Sequence, residues 1–413
     1  MRRAMTMTGL FALLCPLTLS AQEALRYSMA GQDMAELRKR QLENQDFNVK
    51  FGSLAMRFDS RLGIEATDNV RASASDPQAD LTLRPVLNMF SVWRVSQKNN
   101  LTLGLGIGYT KYLRTTDYDN LYISPDTDLS FDVYVGDFII NLHDRFDYSQ
   151  DVSSDPLVSG TGSLNRFENT AGVQVTWDLN KLLVTAGYDH NTFITTDKQY
   201  EHLDHAAELF SASAGLKVSP LVLVGIEAGG GLLDYATVAL NRRLQDNQHI
   251  AIGPFVSAQL SDYTSIKLGG GYVMYSLDTY GQTNLPTSLD AFYLNLSLQQ
   301  RIGNLVSHTF SVNRTVQSSI SSDLLDVWQI QDRARWNIFR KTGLNTTLSY
   351  EHASQNSVVG ETLDRYGFGV ALSRRLTEKM NASLGYQFYL KNSDDANRDY
   401  TQNRLVLDVV YTF

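Results

Sequence analysis

The chain has 413 residues, a length that accommodates one large barrel or two to three ordinary domains. It carries 36 basic and 44 acidic residues, and the net charge of −8 argues against nucleic acid as a partner. The mean hydropathy is −0.22, and no stretch after the N-terminal segment approaches the roughly 20 apolar residues that a membrane helix requires.

Residues 1–21 have the pattern of a secretory signal peptide. Arg2 and Arg3 form its charged start, residues 9–19 form its apolar middle, and Leu19-Ser20-Ala21 offers a cleavage site. Removal of Arg2 and Arg3 leaves 34 basic and 44 acidic residues, a net charge of −10. Cys15, the single cysteine, lies in this segment. The mature chain is therefore expected to have neither a disulfide nor a thiolate metal site.

Residues 22–52 differ in pattern from everything that follows. Met29, Met34, Leu37 and Leu42 have helical spacing among good helix formers, which predicts a short amphipathic helix. Two interpretations remain open for this N-terminal segment. It is either a plug or periplasmic partner-binding segment, or a leader that only provides spacing.

From residue 53 to residue 413 apolar residues alternate with polar ones, the period of a β-strand with one face in lipid and one in water. Many runs extend over 12 to 16 residues, longer than the ~5–6 typical of globular strands. The clearest apolar faces are Leu101, Leu103, Leu105, Ile107 and Tyr109; Leu129, Phe131, Val133 and Val135; and Leu384, Tyr386, Phe388 and Leu390. The pattern predicts an all-β, antiparallel up-and-down transmembrane barrel.

Short and long connections alternate between these strands. Short turns are predicted near 96–100, 136–137, 179–181, 219–220, 262–264, 303–304, 340–342 and 377–379. Longer connections, rich in Asp, Asn, Ser and Thr, are predicted near 69–79, 115–122, 151–164, 196–201, 238–245, 279–288, 319–324, 356–361 and 393–399. This alternation is typical of barrels with short periplasmic turns and longer outer loops. It predicts about 18 strands, with 16 as the alternative because residues 196–245 are the least regular.

The last strand carries an ending typical of outer-membrane barrels. Its apolar face consists of Leu405, Leu407, Val409, Tyr411 and Phe413, and the chain stops on the aromatic Phe413. An apolar strand at a terminus would be a sticky open edge, unless it pairs with the first strand and closes the barrel. The ending resembles the signal by which Gram-negative bacteria recognise chains for insertion into the outer membrane. It therefore predicts the barrel-assembly machinery, outer-membrane lipid and lipopolysaccharide as partners.

The same parity predicts many charged residues on the inner face, where they are candidates for lining the lumen. They are Arg57, Asp59, Arg61, Glu65, Arg84, Arg94, Asp132, Arg145, Asp147, Glu227, Lys267, Arg301, Arg333, Arg335, Glu351, Arg365, Lys391, Arg404 and Asp408. Burying this many charges in a dry core would cost too much free energy. The interior is therefore expected to contain water or to be tightly ion-paired. Asp144 and Asp332 point outward by this parity. We expect a β-bulge at each, or a position outside the hydrocarbon zone.

Glycines mark two further features of the barrel. Gly104, Gly106 and Gly108 share one inward face, where small residues leave room for the N-terminal segment or for an open lumen. The runs 229–231 and 269–271 lie inside strands and lack the strand-turn-helix context of a phosphate-binding loop. Bends or close contacts in a curved sheet are the expected explanation.

No residue constellation predicts a catalytic, cofactor or metal site. His202 and His205 are three apart, which on a strand places them on opposite faces. His190 and His352 each stand next to an acidic residue, and a hydrolase would need one of them to meet a serine such as Ser349. The parity places both histidines outward, near the outer rim. We therefore expect interfacial polar residues and a protein that is not an enzyme.

The sequence resembles a family of outer-membrane β-barrel porins, the beta-barrel porin 2-like proteins, which includes barrels associated with exopolysaccharide systems. The resemblance rests on Leu54 to Asn69, Leu83-Arg84-Pro85, Ser96 to Asn100, Leu103 to Tyr109 and the C-terminal strand. It implies a channel or export role and provides no catalytic or binding residues to transfer.

Together these observations predict a porin-like channel for passive diffusion of small hydrophilic solutes in the outer membrane of a Gram-negative bacterium. The alternative is an outer-membrane component of exopolysaccharide export or surface organisation that is plugged or depends on partners.

Overall fold

The computed structural model describes residues 47–150, 155–160, 163–236, 244–282, 285–303, 305–319, 322–355 and 360–413. The predicted signal peptide and the predicted N-terminal helix lie outside these residues. The strands are β1 (Val49–Phe51), β2 (Leu54–Thr67), β3 (Asp80–Arg94), β4 (Asn100–Tyr112), β5 (Asn120–Ile123), β6 (Asp128–Val135), β7 (Phe138–Ser149), β8 (Arg166–Asp178), β9 (Leu182–Thr195), β10 (His205–Ser219), β11 (Val222–Tyr235), β12 (Asn247–Ser261), β13 (Thr264–Leu277), β14 (Ser288–Ile302), β15 (Val306–Ser319), β16 (Ser322–Phe339), β17 (Thr342–Gln355), β18 (Thr362–Arg375), β19 (Met380–Ser393) and β20 (Tyr400–Thr412).

These strands form one closed antiparallel barrel with 18 strand positions. Consecutive strands pair with each other, except for β5 and β6, and β20 pairs with β2 from Thr67↔Arg404 to Asp59↔Thr412. β5 and β6 both lie between β4 and β7, so they are two halves of one interrupted barrel strand. β1 pairs with the first residues of β2, and β20 pairs with the later ones. β1 and β20 therefore lie on the same side of β2 and together fill the eighteenth strand position. The predicted 18-strand barrel is confirmed, and the 16-strand alternative is wrong.

Connections at one end of the barrel are short, and those at the other end are mostly long. We call the first the turn end and the second the mouth end. The turns at 95–99, 136–137, 179–181, 220–221, 262–263, 303–305, 340–341 and 376–379 match the predicted short connections. Two predictions for the mouth end are wrong. Residues 120–122, predicted as part of a longer connection, belong to β5 (Asn120–Ile123), and only two residues separate β15 from β16, where a longer connection was predicted.

The mouth-end connections contain the helical turns of the described chain. Three short 3-10 helices lie there, at Thr116–Tyr118, Lys198–Leu203 and Ala396–Arg398. In the part of the chain that the structure describes, no helix is long and apolar enough to cross a membrane.

The outer surface of the barrel is apolar, as the alternating pattern predicted. Large exposed side chains cover it, among them Leu87, Ile107, Ile226, Ile252 and Leu372. Exposed aromatic residues lie toward the turn end and toward the mouth end; examples are Trp93, Trp177, Trp336 and Tyr411, and Tyr188, Phe210, Tyr272 and Tyr366. An apolar band between two aromatic girdles is the surface of a membrane-spanning barrel.

The two outward aspartates do not sit at bulges. The strand register is continuous through Asp144 and through Asp332. Each carboxylate instead has a partner on the adjacent strand. Asn169 Nδ2 lies 2.6 Å from Asp144 Oδ1, and His308 Nε2 lies 2.6 Å from Asp332 Oδ2. The bulge prediction was therefore wrong, and a cross-strand polar partner compensates each carboxylate.

Inward-facing glycines allow a sharp corner where β12 meets β13. A Cβ at Gly271 would lie 2.1 Å from the carbonyl oxygen of Ile252, and one at Gly253 would lie 2.1 Å from that of Gly270. The ladder is also interrupted here, between Ile252↔Tyr272 and Phe255↔Gly269. Only glycine permits two backbones to approach this closely. The close contact predicted for the 269–271 run is confirmed at this corner.

Candidate functional site in the barrel lumen

The closing seam between β2 and β20 carries two ion pairs on its inner face. Arg61 Nε lies 2.8 Å from Asp408 Oδ1, and Arg404 Nε lies 3.6 Å from Glu65 Oε1. These four residues were predicted as inward charges, and the structure brings them together in pairs across the seam. Asp408 is almost completely buried, so the pairing satisfies a carboxylate that would otherwise be costly.

A second polar network lies on β6 to β9. His143 Nε2 lies 2.6 Å from Asp189 Oδ1, and its Nδ1 lies 2.9 Å from Asn141 Oδ1. Asn141 Nδ2 in turn donates to Asp132 Oδ1 at 2.6 Å. Asp132 was a predicted lumen residue, whereas the buried histidine and its aspartate were not singled out. The sequence signal was present, because His143 and Asp189 have inward parity, but the separation of 46 residues hid their contact.

A third network lies on β17 to β19 and their mouth-end connections. Arg365 Nε donates to Glu351 Oε2 at 2.6 Å, and both side chains are buried. Lys391 Nζ lies 2.8 Å from Glu361 Oε1, and Arg398 Nε lies 2.6 Å from Glu361 Oε2. Sequence reasoning found Glu351, Arg365 and Lys391. It missed Glu361 and Arg398 because they fall in connections, where strand parity has no meaning.

Residues 150–165 connect β7 to β8, and we call this connection the inner loop. Its described residues, 150, 155–160 and 163–165, fold into the barrel. The backbone of its described part bonds to the third network on the far wall. Arg365 Nη1 donates to the carbonyl oxygen of Asp155 at 3.1 Å, and Arg398 Nη2 donates to that of Leu157 at 2.7 Å. Lys391 Nζ donates to the carbonyl oxygen of Val158 at 3.4 Å. The inner loop therefore crosses the interior between opposite sides of the barrel.

Apolar packing supports the same attachment. Leu157 is completely buried and packs with Leu325 and Val327 of β16, Ala353 of β17 and Leu363 of β18. Val158 packs on the other side, in a cluster with Leu164, Phe193 and Leu203. Two adjacent apolar residues of one polar connection thus fill two separate apolar patches on the inner wall. Because the side chains of Leu157 and Val158 are buried, this part of the inner loop is packed against the wall.

The inward glycines of β4 are covered by the chain itself. The segment 124–127, which joins β5 to β6, lies against them. The Ser124 amide donates to the Gly106 carbonyl oxygen at 2.8 Å, and a Cβ at Gly106 would lie 2.7 Å from Ser124 Cβ. A Cβ at Gly104 would lie 3.1 Å from the Asp126 carbonyl oxygen. The space that the sequence suggested for the N-terminal segment or for an open lumen is, beside Gly104 and Gly106, occupied by these residues.

A polar wall occupies the inner face of β14 to β17 toward the turn end. Cross-strand pairing arranges its residues in rows: Ser297, Ser311, Gln331 and Ser349; Gln299, Thr309, Arg333 and Thr347; and Arg301, Ser307, Arg335 and Asn345. The three rows contain three arginines, all predicted as lumen residues, and no carboxylate. Sequence reasoning missed the serines, threonines and amides because it followed charges only. These residues alternate in phase with the inward arginines, so the period-two pattern could have identified them as lumen residues.

The remaining predicted lumen residues are dispersed. Arg57 pairs with Asp59 at 3.6 Å, and Arg145 lies 3.9 Å from Asp128. Arg84 donates to Thr110 Oγ1 at 3.1 Å and lies over the Tyr122 ring. Asp147 accepts a bond from Ser149, Glu227 accepts one from Tyr293, and Arg94 is exposed at the turn end. The last residue of the set, Lys267, lies on β13 opposite Ser257 and Ser297. These residues do not converge on one centre.

The histidines also stay apart. His190 pairs with Glu208 at 2.9 Å and His352 with Asp364 at 3.0 Å, both on the outer surface near the mouth end. Ser349 lies on the inner face, so it cannot meet His352. His205 bonds to the Leu203 carbonyl oxygen and stacks on Phe193. Within the described ranges, no cluster of three or more His, Cys, Asp or Glu residues could hold a metal ion.

Comparison with known proteins shows the fold of this chain. No protein-family model matches the sequence, and no curated protein does. Among solved structures, a BenF-like porin from Pseudomonas fluorescens Pf-5 is similar at a TM-score of 0.50 and 10% identity, covering 88% of this chain and 100% of that one. Pseudomonas aeruginosa OccK2 (OpdF) in complex with glucuronate has a TM-score of 0.49 and 12% identity, covering 89% and 100% of the two chains.

At this identity the likeness to the BenF-like porin shows a shared barrel fold. The predicted porin-type barrel is thus confirmed as a fold. The barrel and its apolar outer band fit the predicted location, the outer membrane of a Gram-negative bacterium.

Proposed function

We propose that the protein is an outer-membrane channel through which small hydrophilic solutes diffuse passively. The observation that carries the proposal is an 18-position barrel whose inner face bears a polar wall and paired charges, with one loop folded across it. Barrels of 16 to 18 strands are wide enough for an aqueous channel. Side chains of Ser, Thr, Asn, Gln and Arg are favourable at such a wall when they contact water or polar solutes or form hydrogen bonds with one another.

The inner loop supports a size limit on the solutes. Its described residues are held on the far wall by three hydrogen bonds from cations and by the burial of Leu157. A segment fixed at both sides of the interior leaves only the space beside it for passage. We therefore propose that solutes pass between the inner loop and the remaining wall, and that this gap sets the size limit.

The charges of the two walls support a preference for anions over cations. The seam wall pairs Arg61 with Asp408 and Arg404 with Glu65, which balances its charge. The polar wall adds Arg301 and Arg333, whose cross-strand neighbours on the inner face include no carboxylate. Positive charge along a pore raises the local concentration of anions and repels cations. The preference is expected to be moderate because amides and hydroxyls share the same rows.

The experiment is single-channel recording in planar bilayers, with the mature protein and with a variant that lacks residues 22–45. Stable openings of the mature protein support the diffusion channel. Openings that appear only after deletion would favour the alternative, a plugged or partner-dependent component of polysaccharide export. Silence of both proteins, with barrel folding verified by heat-modifiable gel mobility, would overturn the channel proposal.

A further inference from the structure

A cavity of about 390 Å³ lies at the mouth end, among four connections of the barrel. Arg71 comes from the β2–β3 connection, and Tyr118 comes from the 3-10 helix between β4 and β5. Asn165 belongs to the inner loop, and Asp197 and Tyr200 belong to the β9–β10 connection. We call this space the mouth cavity. Its volume falls within the range of about 300–1,000 Å³ typical of small-molecule sites.

The lining of the mouth cavity is polar and aromatic. A guanidinium, a side-chain amide and the carboxylates of Asp117 and Asp197 are combined with the rings of Tyr118 and Tyr200. Adjacent hydroxyl groups of a sugar each donate and accept hydrogen bonds, which such a set of donors and acceptors can satisfy. The C–H face of a sugar ring packs on an aromatic ring in the same way as other apolar surface.

Contacts outside the cavity hold these groups in place. Tyr118 packs edge-on against Tyr112 at a ring-centroid distance of 5.7 Å. Asn165 Oδ1 accepts a hydrogen bond from Asn120 Nδ2 at 2.6 Å, and Tyr200 packs against the apolar cluster that contains Val158. A site whose side chains are fixed before binding loses less conformational entropy when a ligand arrives.

Among the described residues, two lining groups each lack a hydrogen bond that their position would allow. Asp197 precedes the 3-10 helix Lys198–Leu203, but its side chain makes no capping bond to that helix. Arg71 lies 5.8 Å from the Tyr118 ring, and its Nε is buried without a hydrogen-bond partner among the described residues. A buried donor without a partner is costly, and a ligand oxygen at this place would satisfy it.

Charge decides between uncharged and anionic ligands. Among the residues that the structure describes, the lining has one cation, Arg71, and two carboxylates, Asp117 and Asp197, which gives this set a formal charge of −1. A carboxylate or phosphate on the ligand would meet this net negative charge, whereas an uncharged polyol would not. Asn165 belongs to the inner loop, so a ligand in the cavity lies next to the segment that narrows the channel.

We propose that the mouth cavity binds uncharged mono- and disaccharides and holds them beside the inner loop before they pass. The role in passage rests on the proposed channel function, whereas binding itself does not. The cavity then acts as a first binding site that raises the local concentration of sugars beside the inner loop.

The test uses glucose and sucrose added to the mouth-end side of the channel in planar bilayers. We expect concentration-dependent interruptions of the current from that side, absent with polyethylene glycol of matched mass. Asp197→Ala should weaken the block by about fivefold, the effect of one lost hydrogen bond, and Tyr118→Leu should weaken it as well. The matched control is Glu201→Ala, an exposed carboxylate in the same short helix that does not line the cavity. Glucose and sucrose should block the current of Glu201→Ala as strongly as that of the unaltered protein.

Equal block by sugar and by polyethylene glycol, or equal block in Asp197→Ala and Glu201→Ala, would overturn the proposal. Stronger block by glucuronate than by glucose would overturn the preference for uncharged sugars. If the protein conducts no current, the channel function fails and the site is tested alone. Calorimetric titration of the folded barrel in detergent with sucrose should then show binding that Asp197→Ala weakens and Glu201→Ala does not. Absence of that binding in the unaltered protein would overturn the site.

Discussion

Arg398 donates a hydrogen bond of 2.7 Å to the carbonyl oxygen of Leu157, a residue 241 positions away in the chain. The bond joins the β19–β20 connection to the inner loop, which begins on the opposite side of the barrel. Because Arg398 also pairs with the buried Glu361, its guanidinium is fixed before it meets the loop. The attachment of the inner loop therefore depends on an ion pair that belongs to the wall.

Removing the cations that hold the inner loop should widen the channel. Hydrogen bonds from charged donors contribute about 1.5–3 kcal/mol each, so the double variant Lys391→Ala, Arg398→Ala should release much of the attachment. We expect a conductance about twofold higher, with more current noise, because a freed loop moves in the path. The control is Arg375→Ala, since this arginine bonds to the Thr377 and Glu378 carbonyl oxygens at the turn end. Equal conductance in all three proteins would contradict the attachment.

Alanine at the glycine corner should destabilise the barrel. A Cβ at residue 271 would lie 2.1 Å from the Ile252 carbonyl oxygen, so Gly271→Ala must separate β12 from β13. Overpacking of this kind costs about 1–3 kcal/mol or more. We expect the barrel to lose its compact gel mobility at a lower temperature. Gly369→Ala is the matched control, because a Cβ there meets its nearest neighbour at 3.6 Å. Equal stability of the two variants would refute the close contact.

The polar wall should control ion preference. Arg333→Glu replaces a cation by an anion in a row with Gln299, Thr309 and Thr347. We expect the reversal potential in a salt gradient to shift toward cation preference, since the change of two charges acts along the pore. Arg340→Glu makes the same change in a turn beyond the strands and should shift it far less. A shift of equal size in both variants would show that the effect arises from overall charge and not from the wall.

The outward pair His308–Asp332 should behave as a unit. His308→Ala leaves the Asp332 carboxylate without its 2.6 Å partner on the outer surface, which we expect to cost about 1–3 kcal/mol. The double variant His308→Ala, Asp332→Ala removes the charge as well and should recover most of that stability. Unfolding in urea of the barrel in lipid vesicles measures the two single variants, His308→Ala and Asp332→Ala, and the double variant. Additive losses would indicate that the two side chains do not stabilise each other.

The sequence predicted the parts of this structure that depend on strand parity. The closure of β20 on β2, the inner face of Arg61 and Asp408 and the turns at 136–137 and 179–181 all follow from the period of two. In connections, side chains do not alternate between two faces, so the period of two predicts nothing about their direction. Leu157 and Val158 gave no signal that they would be buried inside, because two apolar residues in a polar loop carry no period.

The alternating pattern also could not predict which side chains contact each other across neighbouring strands. Parity sets the face of Asp332 but not the identity of the side chain opposite, which depends on the register of β15 and β16. The same applies to His143 and Asp189, which meet only because β7 and β9 flank the glycine-bearing strand β8. At Gly172 a Cβ would lie 2.2 Å from Asp189 Oδ1, so the absence of a side chain there lets the two residues approach.

The central claim, a water-filled path along the polar wall, is tested most directly at two adjacent residues of β15. Ser311 faces the interior in a row with Ser297 and Gln331, whereas Val312 lies in register with the outward Leu296 and Ile330. Each is replaced by cysteine in a chain that starts at residue 22, since the single cysteine of the sequence, Cys15, lies before that residue. A charged, membrane-impermeant thiol reagent is then added during single-channel recording. We expect a stepwise drop in current for Ser311→Cys and no change for Val312→Cys. An unchanged current in Ser311→Cys, or an equal drop in both variants, would contradict the claim.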